Sequence, residues 1–212
     1  MVYRTKLPNT ASVASSQGDG RLFAPSAEKN SAPIINLIKR IAPKSGEALE
    51  IASGTGQHIV KLAFSLPNIS WSPSEVEGER LKSISAWITS VNLLNIKQPL
   101  YLDATETGWA ESLPQSDFIL LVNLLHLISW NETENLISEL PKALKTNGIA
   151  LVYGPFLRNG QLTSEGDKSF HTSLTQADPE IGYKNDFNML TLFSNSGLLC
   201  LETVEMPANN LA

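Results

Sequence analysis

The chain has 212 residues, a hydrophobic fraction of 42%, a charged fraction of 17% and a formal net charge of −5. That length buries a full core in one unit, and the acidic balance argues against a broad electrostatic footprint for nucleic acid. The one cysteine, Cys200, excludes an intrachain disulfide and a cysteine-rich zinc site. It lies in an apolar run and is expected in the core. No apolar stretch approaches the roughly 18 residues of a membrane span, and no apolar segment follows Arg4 and Lys6. Neither membrane contact nor a signal peptide is expected, and the chain reads as cytoplasmic.

Residues 1–20 are polar and rich in Ser, Thr and Gly, which predicts a mobile arm ahead of a single domain over 21–212. A first helix is predicted over 33–41: Ile34, Leu37, Ile38 and Ile41 share one face and Pro33 occupies the first turn. A short apolar strand over 47–52 then runs into Ala52, Ser53, Gly54, Thr55 and Gly56, none of them bulky, before a helix over 57–66. Strand, small-residue turn and helix N-terminus make a site for a nucleotide-like ligand, because backbone can approach closely and free N–H groups point at it. No Lys follows Gly56, which excludes a P-loop, and Ile59 stands where the dinucleotide fingerprint has its third glycine. Glu50, at the end of the strand, repels a pyrophosphate but attracts an ammonium group.

A second strand over 69–74 leads to Glu75, about 20 positions beyond the glycines, where a carboxylate can accept both hydrogens of a ribose diol. A carboxylate favoured by the dipole of the next helix, over 78–94, is the plainer account of the same residue. A third strand over 99–103 ends at Asp103 and Ala104, and Asp103 is read either as a loop cap or as a ligand contact. Strand four, over 117–125, is a continuous apolar run of the kind found in parallel strands covered on both faces. A helix over 132–145 closes near Asn147-Gly148, and strand five spans 149–154. The segment 155–183 reads as irregular and long enough to be a lid, with Phe156, Phe170 and Tyr183 to cap a pocket. A helix over 186–196 and a strand over 198–205 follow. This rhythm predicts an α/β fold, a doubly wound, mostly parallel sheet with helices on both faces. Ligands in such sheets bind beyond the carboxyl ends of the strands, where Gly54, Gly56, Glu75, Asp103 and Asn123 all fall.

The stretch Glu50–Gly56, EIASGTG, resembles the first motif of class I S-adenosylmethionine (SAM) methyltransferases, with Ala52 at the first of three glycine positions. The segments LEIASGTGQH, WSPSE, NLLHLISW, YGPFLRNGQLTSE, SFHTSL, ADPEIGY and MPANN are similar to an uncharacterised methyltransferase-like family, represented in animals by methyltransferase-like protein 26. The resemblance runs over about 24–210. It implies a class I SAM-binding fold with Glu50, Ala52, Ser53, Gly54, Gly56, Glu75, Asp103, Ala104 and Asn123 around the cofactor, Asp103 receiving the adenine amino group. Two positions depart from the pattern. Glu75 stands where Asp is more usual. The family pattern also continues past MPANN into a final antiparallel strand, whereas here the sequence stops at Ala212. That strand is expected to be missing, leaving an unpaired edge that is compatible with a homodimer.

On the acceptor side, His126 is a candidate base because histidine titrates near neutrality, with a packed, hydrogen-bonded histidine as the alternative. Tyr153, at the end of strand five, is a candidate aromatic contact for the methyl sulfonium, and Arg158 a candidate clamp for an acidic group. The three histidines are too scattered to read as metal ligands, so no metal is expected. Three functions follow: a SAM-dependent methyltransferase acting on a small molecule, a SAM-binding protein without transferase activity in a scaffold or partner role, and an NAD-linked oxidoreductase. Ile59 and the lack of a Tyr-x-x-x-Lys pair weigh against the third.

Overall fold

The computed structural model describes residues 13–212 together with Pro8 and Ala11; the remainder of the expected arm lies outside the described residues. A short hairpin, β1 (Ser15–Ser16) and β2 (Leu22–Phe23), leads into α1 (Pro25–Ile41). Then come β3 (Gly46–Ile51), α2 (Gln57–Ser65), β4 (Ile69–Glu75), α3 (Gly78–Thr89), β5 (Leu100–Tyr101) and β6 (Ser116–Val122). The chain continues through α4 (Trp130–Ala143), β7 (Leu144–Leu157), α5 (Glu165–Ala177), β8 (Lys184–Asn185), α6 (Asp186–Asn195), β9 (Glu205–Met206) and β10 (Asn210–Leu211).

Strands β3 to β10 form one sheet in the order β5-β4-β3-β6-β7-β10-β9, with β8 pairing the far end of β7. The strands from β3 to β7 run parallel. The run at β6 is buried on both faces, and its alternate residues serve different layers. Phe118 and Leu120 pack with Ile34, Ile38, Ile59, Leu62 and Ile84 of α1, α2 and α3. Ile119 and Leu121 pack with Leu136, Ile137 and Leu140 of α4 and Met189 of α6. The chain winds outward from β3 to β5, then returns to place β6 on the other side of β3. The carboxyl ends of β3 and β6 therefore flank the point where the winding reverses.

Several boundaries differ from the sequence reading. Helix α1 begins at Pro25, about two turns earlier than expected, because Pro25 suits the first helical position and the Ala24 N–H donates to the Gln57 side chain at 2.5 Å. Pro33 lies inside the helix. Helix α4 ends at Ala143, and Asn147 takes its positive φ of 64° within the irregular start of β7, not as a helix cap. The segment expected to be irregular contains α5, capped by the Ser164 hydroxyl, which accepts from the Asp167 N–H. The expected strand over 198–205 is paired only at its end: β10 offers partners from Val204 onward, through the Val204–Ala212 backbone bonds. Leu199 and Leu201 are exposed, and so is Cys200, which is not in the core. The slot beside β7 is not vacant. Asn210 and Leu211 pair antiparallel with Pro155 and Gly154, so a two-residue antiparallel strand stands where the final strand was expected to be missing.

Candidate functional site

A cavity of about 770 Å³ opens at the reversal point of the sheet, within the range of small-molecule sites. Ala52, Ser53, Gly54, Glu75, Asp103, Ala104, Asn123, His126 and Tyr153 all line it. Glu50 and Gly56 do not.

The loop owes its shape to three left-handed residues at alternate positions, Ala52 (φ 53°), Gly54 (φ 60°) and Gly56 (φ 92°). The two glycines serve different ends. A Cβ at Gly54 would stand 3.4 Å from the Arg80 guanidinium, on the cavity side. One at Gly56 would meet the Ile84 Cα at 2.9 Å, so that glycine lets α3 pack against the start of α2. Ala52 holds the same backbone conformation with a side chain, against the steric preference of L-residues. Ala52→Gly is accordingly expected to stabilise the chain by about 1 kcal/mol in urea unfolding, the relief of left-handed strain outweighing glycine's added freedom in the unfolded chain. A loss of stability would show that the methyl's packing contributes more than its strain costs.

Glu50 is 1% exposed and neither carboxylate oxygen has a hydrogen-bond partner. Burial pushes its carboxyl up to about 8; nearby Ser53 offsets this in part and Glu75 adds to it. Glu75 is also buried, and its two oxygens accept from the Gly54 N–H at 2.9 Å and the Val76 N–H at 2.8 Å. Burial raises its carboxyl, and the Val76 N–H and Arg80 pull it partly back. The Asp103 Oδ1 accepts from the Thr105 N–H at 3.0 Å and its hydroxyl at 2.5 Å, holding the loop after β5. Asn123 sits at φ 57° and donates its N–H to the Tyr153 carbonyl at 2.8 Å, tying together the ends of β6 and β7.

The opposite wall is built from later segments. His126 stands edge-on to Phe170 (5.6 Å between centroids) and Tyr183 (6.2 Å), which stand edge-on to each other at 6.1 Å. Burial, with Lys184 nearby, lowers the His126 pKa to about 3, so the ring is neutral and weakly basic. Burial raises the Tyr153 hydroxyl, which bonds Asn30, and the Asn30 Oδ1 lies 2.8 Å from the His58 Nε2. The position of Asn30 was not read from the sequence, although with Ser26 and Ala27 it forms the cavity face of α1. Arg158 does not reach the cavity. Its guanidinium pairs with both Glu205 oxygens at 3.0 Å and with the carbonyls of Asn209 and Asn210, pinning the C-terminal hairpin to β7. Asp167 accepts from the hydroxyls of Thr163, Ser164 and Tyr183 and from Asn209 Nδ2. Burial raises its carboxyl, but these bonds outweigh burial and hold it below the usual range. Among the described residues, no group of three or more His, Cys, Asp or Glu side chains is placed to hold a metal ion, and no helix is long and apolar enough to cross a membrane.

Methyltransferases are among the solved structures that this chain resembles. PigF, solved with S-adenosylhomocysteine (SAH), is 15% identical with a TM-score of 0.72, over 87% of this chain and 55% of that one. An O-methyltransferase family protein from Burkholderia thailandensis is 12% identical with a TM-score of 0.72, over 85% and 54%. Human N-acetylserotonin methyltransferase in complex with SAM is 14% identical with a TM-score of 0.70, over 88% and 51%. The chain spans about half the length of these proteins, and at such identity the likeness establishes the fold, that of the class I methyltransferases. The chain belongs to the family described as "Protein of unknown function (DUF938)", whose model matches residues 21–212.

Proposed function

We propose that the chain is a SAM-dependent methyltransferase acting on a small molecule, in keeping with its resemblance to the methyltransferase-like family. The observation that carries this reading is the arrival of Gly54, Glu75 and Asp103 at one cavity, from three successive strand ends. These residues suit the group. Gly54 would give backbone access, Glu75 keeps oxygen lone pairs that would suit a ribose diol, and Asp103 would receive the adenine amino group, as the resemblance implies. Behind them the unpartnered Glu50 carboxyl, raised by burial to about 8, would supply negative charge toward a cation once ionised. When bound, SAM supplies an electrophilic methyl group on a sulfonium. The chain's own part is to align the acceptor and exclude water, with Tyr153 and His126 at the acceptor side of the cavity. PigF and human N-acetylserotonin methyltransferase, solved with SAH and SAM, support the same reading.

Calorimetric titration with SAH is expected to show micromolar binding, and NAD as control none. Failure of SAH to bind a folded chain removes the proposal, and binding of NAD alone selects a nicotinamide enzyme instead. One observation favours a second reading, SAM binding without transfer. The burial of His126 among Phe170 and Tyr183 lowers its basicity and weakens the one base read from the sequence for an acceptor that must lose a proton early. SAH binding with no methyl transfer to any of a broad small-molecule panel would select it.

A further inference from the structure

We propose that the acceptor is a compact, uncharged, ring-bearing molecule, held between the rings of His126, Phe170 and Tyr183 and the turn Pro207–Asn210. The proposal rests on the methyltransferase reading of the cavity and names the substrate class for it.

Three observations converge. The first is the ring cluster. His126, Phe170 and Tyr183 are mutually edge-on and all line the cavity, an arrangement that presents aromatic faces and edges to a further ring.

The second is charge. Of the segments that build this wall, Leu124–Ile128, Tyr153, Pro155, Phe170, Tyr183 and the C-terminal turn contribute no ionised side chain to the lining, and Glu132, which lines it from α4, is engaged as the acceptor of the Ser129 N–H at 2.6 Å. The charges nearby are engaged elsewhere. Arg158 is paired with Glu205. Asp167 holds four side-chain hydrogen bonds. The buried Lys184 ammonium donates to the carbonyls of Ile128 and Gly182. A charged acceptor would leave water without a counter-charge, which is costly.

The third is rigidity. Ala208 (φ 57°) and Asn209 (φ 60°) are consecutive left-handed residues without being glycine. Such strain persists only where the surroundings over-determine it. Here the turn is fixed by the Asn209–Asp167 bond and by Arg158 on the carbonyls of Asn209 and Asn210. Through Asp167, the same bonds tie the turn to the Tyr183 hydroxyl. The wall is thus preorganised, as a site selecting by shape requires.

The test is calorimetric titration of the full chain, with and without SAH, using indole and 1-naphthol as ring probes and succinate and spermidine as charged controls. The ring probes are expected to bind, and the charged ones not. Phe170→Ala is expected to weaken ring binding about tenfold, one lost ring contact's worth, while SAH affinity stays within about twofold. Should Phe170→Ala fold poorly, Phe170→Leu keeps apolar volume without the ring and is expected to weaken ring binding in the same direction. The proposal is overturned if no ring probe binds with or without SAH, if a charged probe binds in preference, or if neither variant changes ring affinity. Ring binding without any SAH binding would overturn the ring compound's role as a methyl acceptor, together with the cofactor reading, and leave only a ring-binding wall.

Discussion

Gly56→Ala is expected to destabilise the chain by about 2–4 kcal/mol and to weaken SAH binding with it. The new methyl would stand 2.9 Å from the Ile84 Cα. That atom is backbone of α3, and the Ile84 side chain is fully buried, so no flexible group can yield. Overpacking of this kind costs about 1–3 kcal/mol, and the positive φ adds about 1 kcal/mol for any L-residue. A shift of α3 would also disturb Ser83, whose hydroxyl donates to the Thr55 carbonyl at 2.7 Å and accepts from the Leu22 N–H at 2.8 Å. Gly54→Ala makes the contrast. Its methyl would meet only the end of the Arg80 side chain, so stability should fall by about 1 kcal/mol, the left-handed strain alone, while SAH binding suffers directly. Urea unfolding and calorimetry of both variants check this. Equal stabilities would mean that α3 is free to move.

Glu50 is expected to make the fold lose stability as the pH rises. Its carboxyl is raised in the folded state from an ordinary 4.5 to about 8. A group raised on folding gives its full stabilisation below the unfolded value and loses it as pH climbs through the folded one. The window therefore runs from about pH 4.5 to just above 8, and a shift of that size is worth on the order of 3–5 kcal/mol. Glu50→Gln keeps the shape and cannot ionise, so the variant should match the wild type near pH 5 and exceed it by a few kcal/mol near pH 9. The measured quantity is the difference between the two proteins, because His58 and His126, both lowered by burial, destabilise each of them alike as the pH falls below about 6.5. Glu75 adds a slope of the same sign as Glu50, common to both. A variant no more stable than the wild type at pH 9 would show that water or a counter-charge reaches Glu50. The gain in stability should come with a loss of function above about pH 8, where the wild-type carboxyl is ionised: about tenfold weaker SAH binding, or about 1.4 kcal/mol, as negative charge behind the loop disappears.

The half of the site around the loop was legible because its signals are local. Each of Glu50, Glu75 and Asp103 ends a strand that the apolar pattern marks, and parallel strands bring their carboxyl ends to one place. The continuous run at β6 gave the sheet's middle for the same reason. The other half depends on contacts distant in sequence. Helix α5 carries only a cap, Ser164 to Asp167, and a sparse apolar pair, Phe170 and Leu174, so its polar composition read as loop. Arg158 was read as a substrate clamp because nothing local reveals Glu205, 47 residues away. Cys200, Leu199 and Leu201 read as a buried strand, and they are exposed because pairing begins only at Val204. Asn30 could be placed only once α1 was known to start at Pro25.

The cavity draws its walls from two stretches of chain that scarcely overlap. Apart from Ala11, Val13, Ala24 and the first turns of α1, one side comes from residues 51–105 and the other from residues 122–210. Mutations in the later stretch can therefore reshape one wall without touching Ala52, Gly54 or Glu75. Selectivity on that side can be changed by substitution while the opposite side is left as it is, and swapping α5 with the Pro207–Asn210 turn is the natural unit of exchange, since Asp167 binds the two together.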